Sequence, residues 1–199
     1  MATLTQNKSW FSDLISSLNI VKPNIFVETG SYVGNGINEV KDDFQIVHSI
    51  ELDQKWYLLC KELFINQPDI HLHLGDSSEI LETLFPELNE PVIFYLDAHY
   101  SGGETAFGNE EEKGTPLLRE LEILGKRNHK DIIVINDMRL MGKKSYGGIK
   151  DDIIYPLIEY DWVHITIEKM LEKYNRVCKI YFPNDIDRLI LLPNDDTNQ

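Results

Sequence analysis

The stretch Ile25–Gly36, reading Ile-Phe-Val-Glu-Thr-Gly-Ser-Tyr-Val-Gly-Asn-Gly, constrains this chain more than any other. An apolar run stops at an acid, and a glycine-rich turn follows at once. Apolar run, glycine turn and helix is how open α/β sheets build a nucleotide-binding corner. The glycine order is not that of a pyrophosphate loop, which needs G-x-G-x-x-G so that backbone N–H groups can approach the phosphates. Here the glycines are Gly30, Gly34 and Gly36, and Tyr32 stands where the second glycine would be. Such a turn suits a ligand with an adenosine and a charged tail but no phosphate.

The remaining pattern alternates strand and helix. Trp10, Phe11, Leu14, Ile15 and Leu18 have helical spacing, and Lys22-Pro23-Asn24 stops that helix. Gly36 opens a short helix through Val40, and Gln45–Glu51 is a second strand. Asp53 is placed to cap a helix through Asn66. Ile70–Leu74 is a third strand, with a helix from Ser77 to about Leu84. Val92–Leu96 is an apolar run of the kind buried at a sheet centre, and Asp131–Ile135, apolar after its first residue, is another buried run. Between them Thr115-Pro116 starts a helix to Leu124. Beyond them the pattern predicts a loop over Met138–Gly148, a helix over Ile149–Tyr160 interrupted near Pro156, and strands at Trp162–Ile167 and within Arg176–Leu192. The fold class expected is α/β: a doubly wound, mostly parallel seven-stranded sheet with an antiparallel edge hairpin and helices on both faces. Residues 1–199 read as one domain, with residues 1–21 packing on the core and 194–199 a solvated tail.

Composition removes several function classes. A net charge of −14 opposes a broad nucleic-acid footprint, which needs Lys and Arg to neutralise phosphates. No apolar run reaches membrane-spanning length, and the N-terminus lacks a signal-peptide layout. Cys60 and Cys178 read as reduced thiols of a cytoplasmic protein.

The five strands up to Ile135 each end at an acid: Glu28, Glu51, Asp76, Asp97 and Asp137. In doubly wound sheets the ligand crevice lies outside the carboxyl ends of the strands, so these acids describe a site. The bland alternative, that they cap the following helices, suits any single acid better than all five together. Glu51 is placed to accept two adjacent ribose hydroxyls, and Asp76-Ser77 to meet the adenine edge. Glu28 lies beneath the turn formed by Thr29, Gly30, Ser31, Gly34, Asn35 and Gly36, positioned to orient it or to receive an ammonium.

Glu-Thr-Gly-Ser-Tyr-Val-Gly-Asn-Gly, then Ser-Ile-Glu, Leu-Gly-Asp-Ser and Tyr-Leu-Asp-Ala-His form an ordered set. The set resembles the motifs of class I S-adenosylmethionine-dependent methyltransferases, over roughly residues 22–192. Leu-Asp-Ala-His-Tyr-Ser-Gly-Gly and Ile-Asn-Asp-Met-Arg are similar to small O-methyltransferases acting on sugars, some of them metal-assisted. The resemblance implies S-adenosylmethionine as methyl donor, a seven-stranded sheet whose last strand is antiparallel, and a small-molecule or glycan acceptor. Asn136-Asp137 reverses the Asp-Asn order of the metal-dependent catechol type, and no third acidic ligand is plain beyond Glu104 or Asp76.

His99, two residues past Asp97 at the mouth of the fourth strand, is the expected general base. Asp97 and Asp137 are expected either to hold Mg²⁺ or Mn²⁺ or to hydrogen-bond sugar hydroxyls directly. Two loops offer acceptor contacts: Tyr100, Ser101, Glu104 and Thr105 in one, Arg139 and Tyr146 in the other, where Lys143 and Lys144 complete a basic patch. A nicotinamide-dependent oxidoreductase is opposed by the glycine order and by the lack of a Tyr-x-x-x-Lys pair. A non-catalytic domain keeping the fold is the remaining alternative.

Overall fold

The computed structural model describes residues 10–18, 20–150, 153–183 and 187–194. Short buried runs become parallel strands: β1 (Ile25–Thr29), β2 (Ile46–Glu51), β3 (Ile70–Leu74), β4 (Val92–Leu96) and β5 (Ile132–Ile135). The segments before and between them carry helices α1 (Trp10–Leu18), α2 (Asn35–Val40), α3 (Gln54–Leu63), α4 (Ser77–Leu84) and α5 (Leu117–Leu124). Asp53 caps α3 by accepting from the Lys55 N–H, and Asp76 caps α4 through the N–H groups of Ser78 and Glu79.

The last third departs from the sequence expectation. Residues read as a loop and then a helix form instead a hairpin of β6 (Ser145–Lys150) and β7 (Ile153–Glu159), a separate two-stranded sheet. Pro156 explains the change: a helix interior would lose a hydrogen bond there. The hairpin slips register between Tyr146↔Ile158 and Gly148↔Tyr155, so the proline falls in a bulge where no ladder bond is required of it. The expected strand at Trp162–Ile167 is a turn leading into α6 (Ile167–Tyr174), because Thr166 caps that helix by accepting from the Lys169 N–H. Apolar alternation at Val163, Ile165 and Ile167 imitated a strand; Val163 and Ile167 are exposed instead, while Trp162 and Ile165 are buried. The expected solvated tail lies, beyond Asn194, outside the described residues.

The antiparallel edge is made by β8 (Cys178–Tyr181) and β9 (Leu189–Pro193). The sheet order is β3-β2-β1-β4-β5-β9-β8, with β9 antiparallel to both neighbours. Strand order therefore reverses between β1 and β4, the switch point where such sheets open a crevice. Alternate strand residues feed two cores. Val27, Phe94 and Ile133 pack with α4, α5 and α6; Phe26, Ile93 and Val134 pack with α1, α2 and α3. No helix among the described residues is long and apolar enough to cross a membrane.

Candidate active site

The turn after β1 is built for close approach. Gly30 has φ +86°, and a Cβ on it would lie 2.9 Å from the Asp97 carbonyl oxygen, so only glycine lets β1 and β4 open at this point. A Cβ on Gly36 would fall 1.8 Å from Oε1 of Glu28, so the Glu28 carboxyl occupies the space beneath the start of α2. Glu28 is buried and accepts from the Ser49 hydroxyl at 2.7 Å; Ser49 meets Ser31 at 2.6 Å. Burial pushes the Glu28 pKa up to about 8, so the group is mostly neutral at pH 7. Thr29 is wholly buried, and its hydroxyl accepts from the N–H groups of Asp97 and Ala98, tying β1 to β4. Asn35 is exposed at the start of α2.

Glu51 ends β2 with both oxygens engaged, Oε2 accepting from the Tyr32 N–H at 2.7 Å and Oε1 from the Asp53 N–H at 2.8 Å. Each oxygen keeps a second lone pair for a ligand hydroxyl. Asp76 is the only one of the five strand-end acids whose side chain caps a regular helix. Ser77 donates to Glu120 at 2.6 Å, and burial pushes Glu120 up to about 7.

Asp97, His99 and Asp137 come together at the ends of β4 and β5. One ligand atom from each lies within 4.8 Å of the others, and this is the only such cluster of three among the described residues. Nε2 of His99 lies 3.0 Å from Asp137, and Nδ1 lies 3.8 Å from Asp97. The Trp162 ring stands edge-on to the imidazole. Asn136 donates to Asp97 at 2.9 Å and to Asp137 at 3.3 Å, so it bridges the two acids. Burial raises Asp97 to about 6, although His99 and Asn136 work the other way. Burial alone would deprotonate His99, but its two carboxylate neighbours raise its pKa. Burial likewise opposes the Asp137 charge, yet His99 and Arg139 hold its pKa below the usual value. Asp137 is in the left-handed region, φ +56°, which an aspartate tolerates better than most residues.

A cleft of about 330 Å³ runs along this edge. It joins Glu51, Asp76 and Ser77 at one end to Asp97, His99 and Asp137 at the other, past Gly30. Ser101 and Thr105 line it, and Tyr100 packs edge-on against the lining residue Phe107. Glu104 does not line it, pairing instead with Lys55 while its carbonyl accepts from Trp56. That loop therefore leans on α3, over the Glu51 end of the cleft. Arg139 is held by Asp137 and Asp187 with Tyr146 against its guanidinium, and neither Arg139 nor Tyr146 lines the cleft. Sequence reasoning missed Glu112 in the cleft wall, Trp162 against His99, and the bridging role of Asn136. The Asn136-Asp137 dipeptide was the signal for the last of these.

No protein-family model and no curated protein matches the chain. Many solved structures do match the fold. A S-adenosylmethionine-dependent methyltransferase from Clostridium acetobutylicum superposes with a TM-score of 0.52 at 12% identity, over 92% of this chain and 87% of the other. CalS10, an amino pentose methyltransferase from Micromonospora echinaspora with S-adenosylmethionine bound, gives 0.55 at 11%, over 92% and 88%. The N-methyltransferase NodS from Bradyrhizobium japonicum gives 0.52 at 10%, over 90% of each chain. The fold is thus the Rossmann-like fold of class I S-adenosylmethionine-dependent methyltransferases.

Proposed function

We propose that this protein is a S-adenosylmethionine-dependent methyltransferase that transfers a methyl group to a hydroxyl, the acceptor being a carbohydrate. One observation carries the donor assignment. The cleft is lined by Glu51, Asp76, Asp97, Glu112 and Asp137, and among the described residues no Lys or Arg lines it. Such a surface repels a pyrophosphate and attracts a sulfonium, which counts against a nicotinamide cofactor. The amino pentose methyltransferase among the similar folds supports a sugar acceptor. The proposed setting is one cytoplasmic domain, with neither nucleic acid nor membrane as partner.

The donor supplies a methyl group on a positively charged sulfur. Gly30 lets this end of the ligand approach the β1–β4 opening, while Glu51 holds the ribose and Asp76-Ser77 the adenine edge. Asp97 and Asp137 orient the acceptor hydroxyl, and alignment of this kind contributes roughly 7–11 kcal/mol. His99 takes the hydroxyl proton as the oxygen–carbon bond forms and the carbon–sulfur bond breaks. Its raised pKa means that the basic form appears only above the usual histidine value, so turnover rises with pH through that region.

The close grouping of Asp97, His99 and Asp137 favours a second arrangement, in which the three hold a divalent cation. The mixed oxygen and nitrogen donors fit Mn²⁺ better than Mg²⁺. His99 would then be a ligand, and the cation would acidify the acceptor hydroxyl.

Calorimetry with S-adenosylhomocysteine and NAD in parallel tests the donor. Binding of NAD with no binding of S-adenosylhomocysteine would refute the assignment. Labelled methyl transfer to a panel of sugars, with EDTA and with added Mn²⁺, then separates the base from the cation arrangement. Turnover that survives EDTA assigns His99 as base.

A further inference from the structure

Glu120 is a buried carboxyl with no cation beside it. It is 1% exposed, and no Lys or Arg among the described residues pairs with it. It stands in the first turn of α5, on the face that carries Leu117, Leu121 and Leu124 into the core. The helical period calls for another apolar side chain at that position. Its partners are two hydroxyls instead. Ser77 donates to Oε1 at 2.6 Å, and Thr29 bonds the same carboxyl. The direction of the Thr29 bond is forced. Its oxygen already accepts from the N–H groups of Asp97 at 3.2 Å and Ala98 at 3.4 Å, so its single proton goes to Glu120. A chain of bonds therefore runs from Ala98, one residue before His99, through Thr29 and Glu120 to Ser77. Ala98 and His99 line one end of the cleft and Ser77 the other, whereas Glu120 does not line it. Glu120 and His99 do share the wall of a small adjoining cavity of about 10 Å³.

We propose that Glu120 is a positioning residue for methyl transfer: through Thr29 it fixes the exit of β4, and with it the place of Asp97 and His99 relative to the end of the cleft marked by Ser77. The inference rests on the methyl-transfer reading above. A carboxyl suits this post because its two oxygens serve two hydroxyls at once. Burial pushes its pKa up to about 7, and in the protonated form one oxygen still accepts from Thr29. An apolar side chain would leave both hydroxyl protons unbonded in the core, and the hydroxyls would turn to other acceptors. Thr29 would then release the Ala98 N–H, which has no other acceptor among the described residues. A misplacement of about 1 Å in a displacement reaction can slow it by about 10²-fold.

The test compares variants of Glu120 on the full chain. Glu120→Gln keeps an oxygen for Thr29 and turns its amide to the Ser77 oxygen, so kcat should stay within threefold. Glu120→Leu removes both acceptors and should lower kcat at least tenfold per folded molecule, with S-adenosylhomocysteine affinity within threefold. Glu120→Met, closer in shape, serves should the leucine variant fail to fold. Thr29→Val should lower kcat similarly, and Thr29→Val combined with Glu120→Leu should be no more than twofold slower than the slower single variant, because both break one chain. Losses that multiply would mean separate structural contributions and overturn the proposal. A loss confined to donor affinity, or full activity in Glu120→Leu, would also overturn it. Amide hydrogen exchange at Ala98 reads the geometry without any reaction. It should quicken at least tenfold in Glu120→Leu and hold in Glu120→Gln; unchanged exchange in Glu120→Leu would overturn the proposal. Should the unaltered protein methylate no acceptor, the methyl-transfer reading falls, and exchange at Ala98 still decides whether Glu120 holds the β4 exit.

Discussion

The two ends of the parallel strands treat charge in opposite ways. At the amino ends of β4 and β5, Asp131 receives Arg127 at 2.8 Å and 3.2 Å and the Val92 N–H at 3.0 Å. Arg127 also donates to the carbonyls of Leu88 and Glu90. Both side chains are at most 2% exposed, and the pair closes its own hydrogen bonding. At the carboxyl ends, burial leaves Glu28 and Asp97 with raised pKa values of about 8 and about 6. Charges that the protein pairs with itself hold the fold. Charges that it keeps partly unpaired against burial are available to a ligand.

Exchanging the two treatments gives the largest effects. Asp131→Ala leaves Arg127 buried without its carboxylate and should cost about 3–5 kcal/mol of stability, read by urea unfolding. Methyl transfer per folded molecule should be unchanged. Asp97→Asn should do the reverse, losing turnover at least a hundredfold while the unfolding midpoint holds or rises, because a carboxylate disfavoured by burial has been removed. A large stability loss in Asp97→Asn would show that both ends are structural.

His99→Ala sharpens the contrast within the carboxyl end. Loss of a general base should slow turnover by about 10²–10⁴-fold and abolish its rise with pH, with donor affinity unaltered. Equal loss of donor affinity would place His99 in the binding of the cofactor rather than in proton transfer. Glu51→Gln should show the opposite split. Amide substitution weakens the carboxylate's hold on the Tyr32 and Asp53 N–H groups and on the ribose. Hydrogen bonds to a charged group contribute about 1.5–3 kcal/mol each, so S-adenosylhomocysteine should bind at least tenfold more weakly.

This division also explains what the sequence disclosed. The sheet centre was legible because β4 and β5 are unbroken apolar runs and β1 opens with one, Ile25–Val27, a pattern that suits a doubly covered strand. The carboxyl-edge acids were legible because each lies within two residues of the end of its strand. Residues 145–174 were not, because their conformation depends on single residues: Pro156 at a bulge and Thr166 at a cap outweigh the apolar period around them. The meeting of His99 with Asp137 joins loops after two different strands, and only their pairing in the sheet sets that distance.

A last contrast separates two buried titratable groups by the direction in which pH acts on them. Glu28 has a folded pKa of about 8 against its ordinary value of 4.5. Above pH 4.5 the unfolded chain releases this proton while the folded chain keeps it, so the group lowers stability as pH rises to 8. His48, stacked against His71 and His73 at the other side of the β2 strand, has a pKa lowered by burial to about 4. The unfolded chain binds this proton from about pH 6.5 downward while the folded chain does not, so stability falls as pH drops from there to about 4. Glu28→Gln should therefore flatten the profile between about pH 6.5 and 8 and steepen the fall on acidification between about pH 6.5 and 4.5, where the two groups oppose each other, and thermal unfolding from pH 4 to pH 8 reads both limbs. An alkaline limb that stays equally steep in Glu28→Gln would mean that Glu28 is ionised at neutral pH. The contrast between self-paired and ligand-facing charge would then have to be redrawn at that residue.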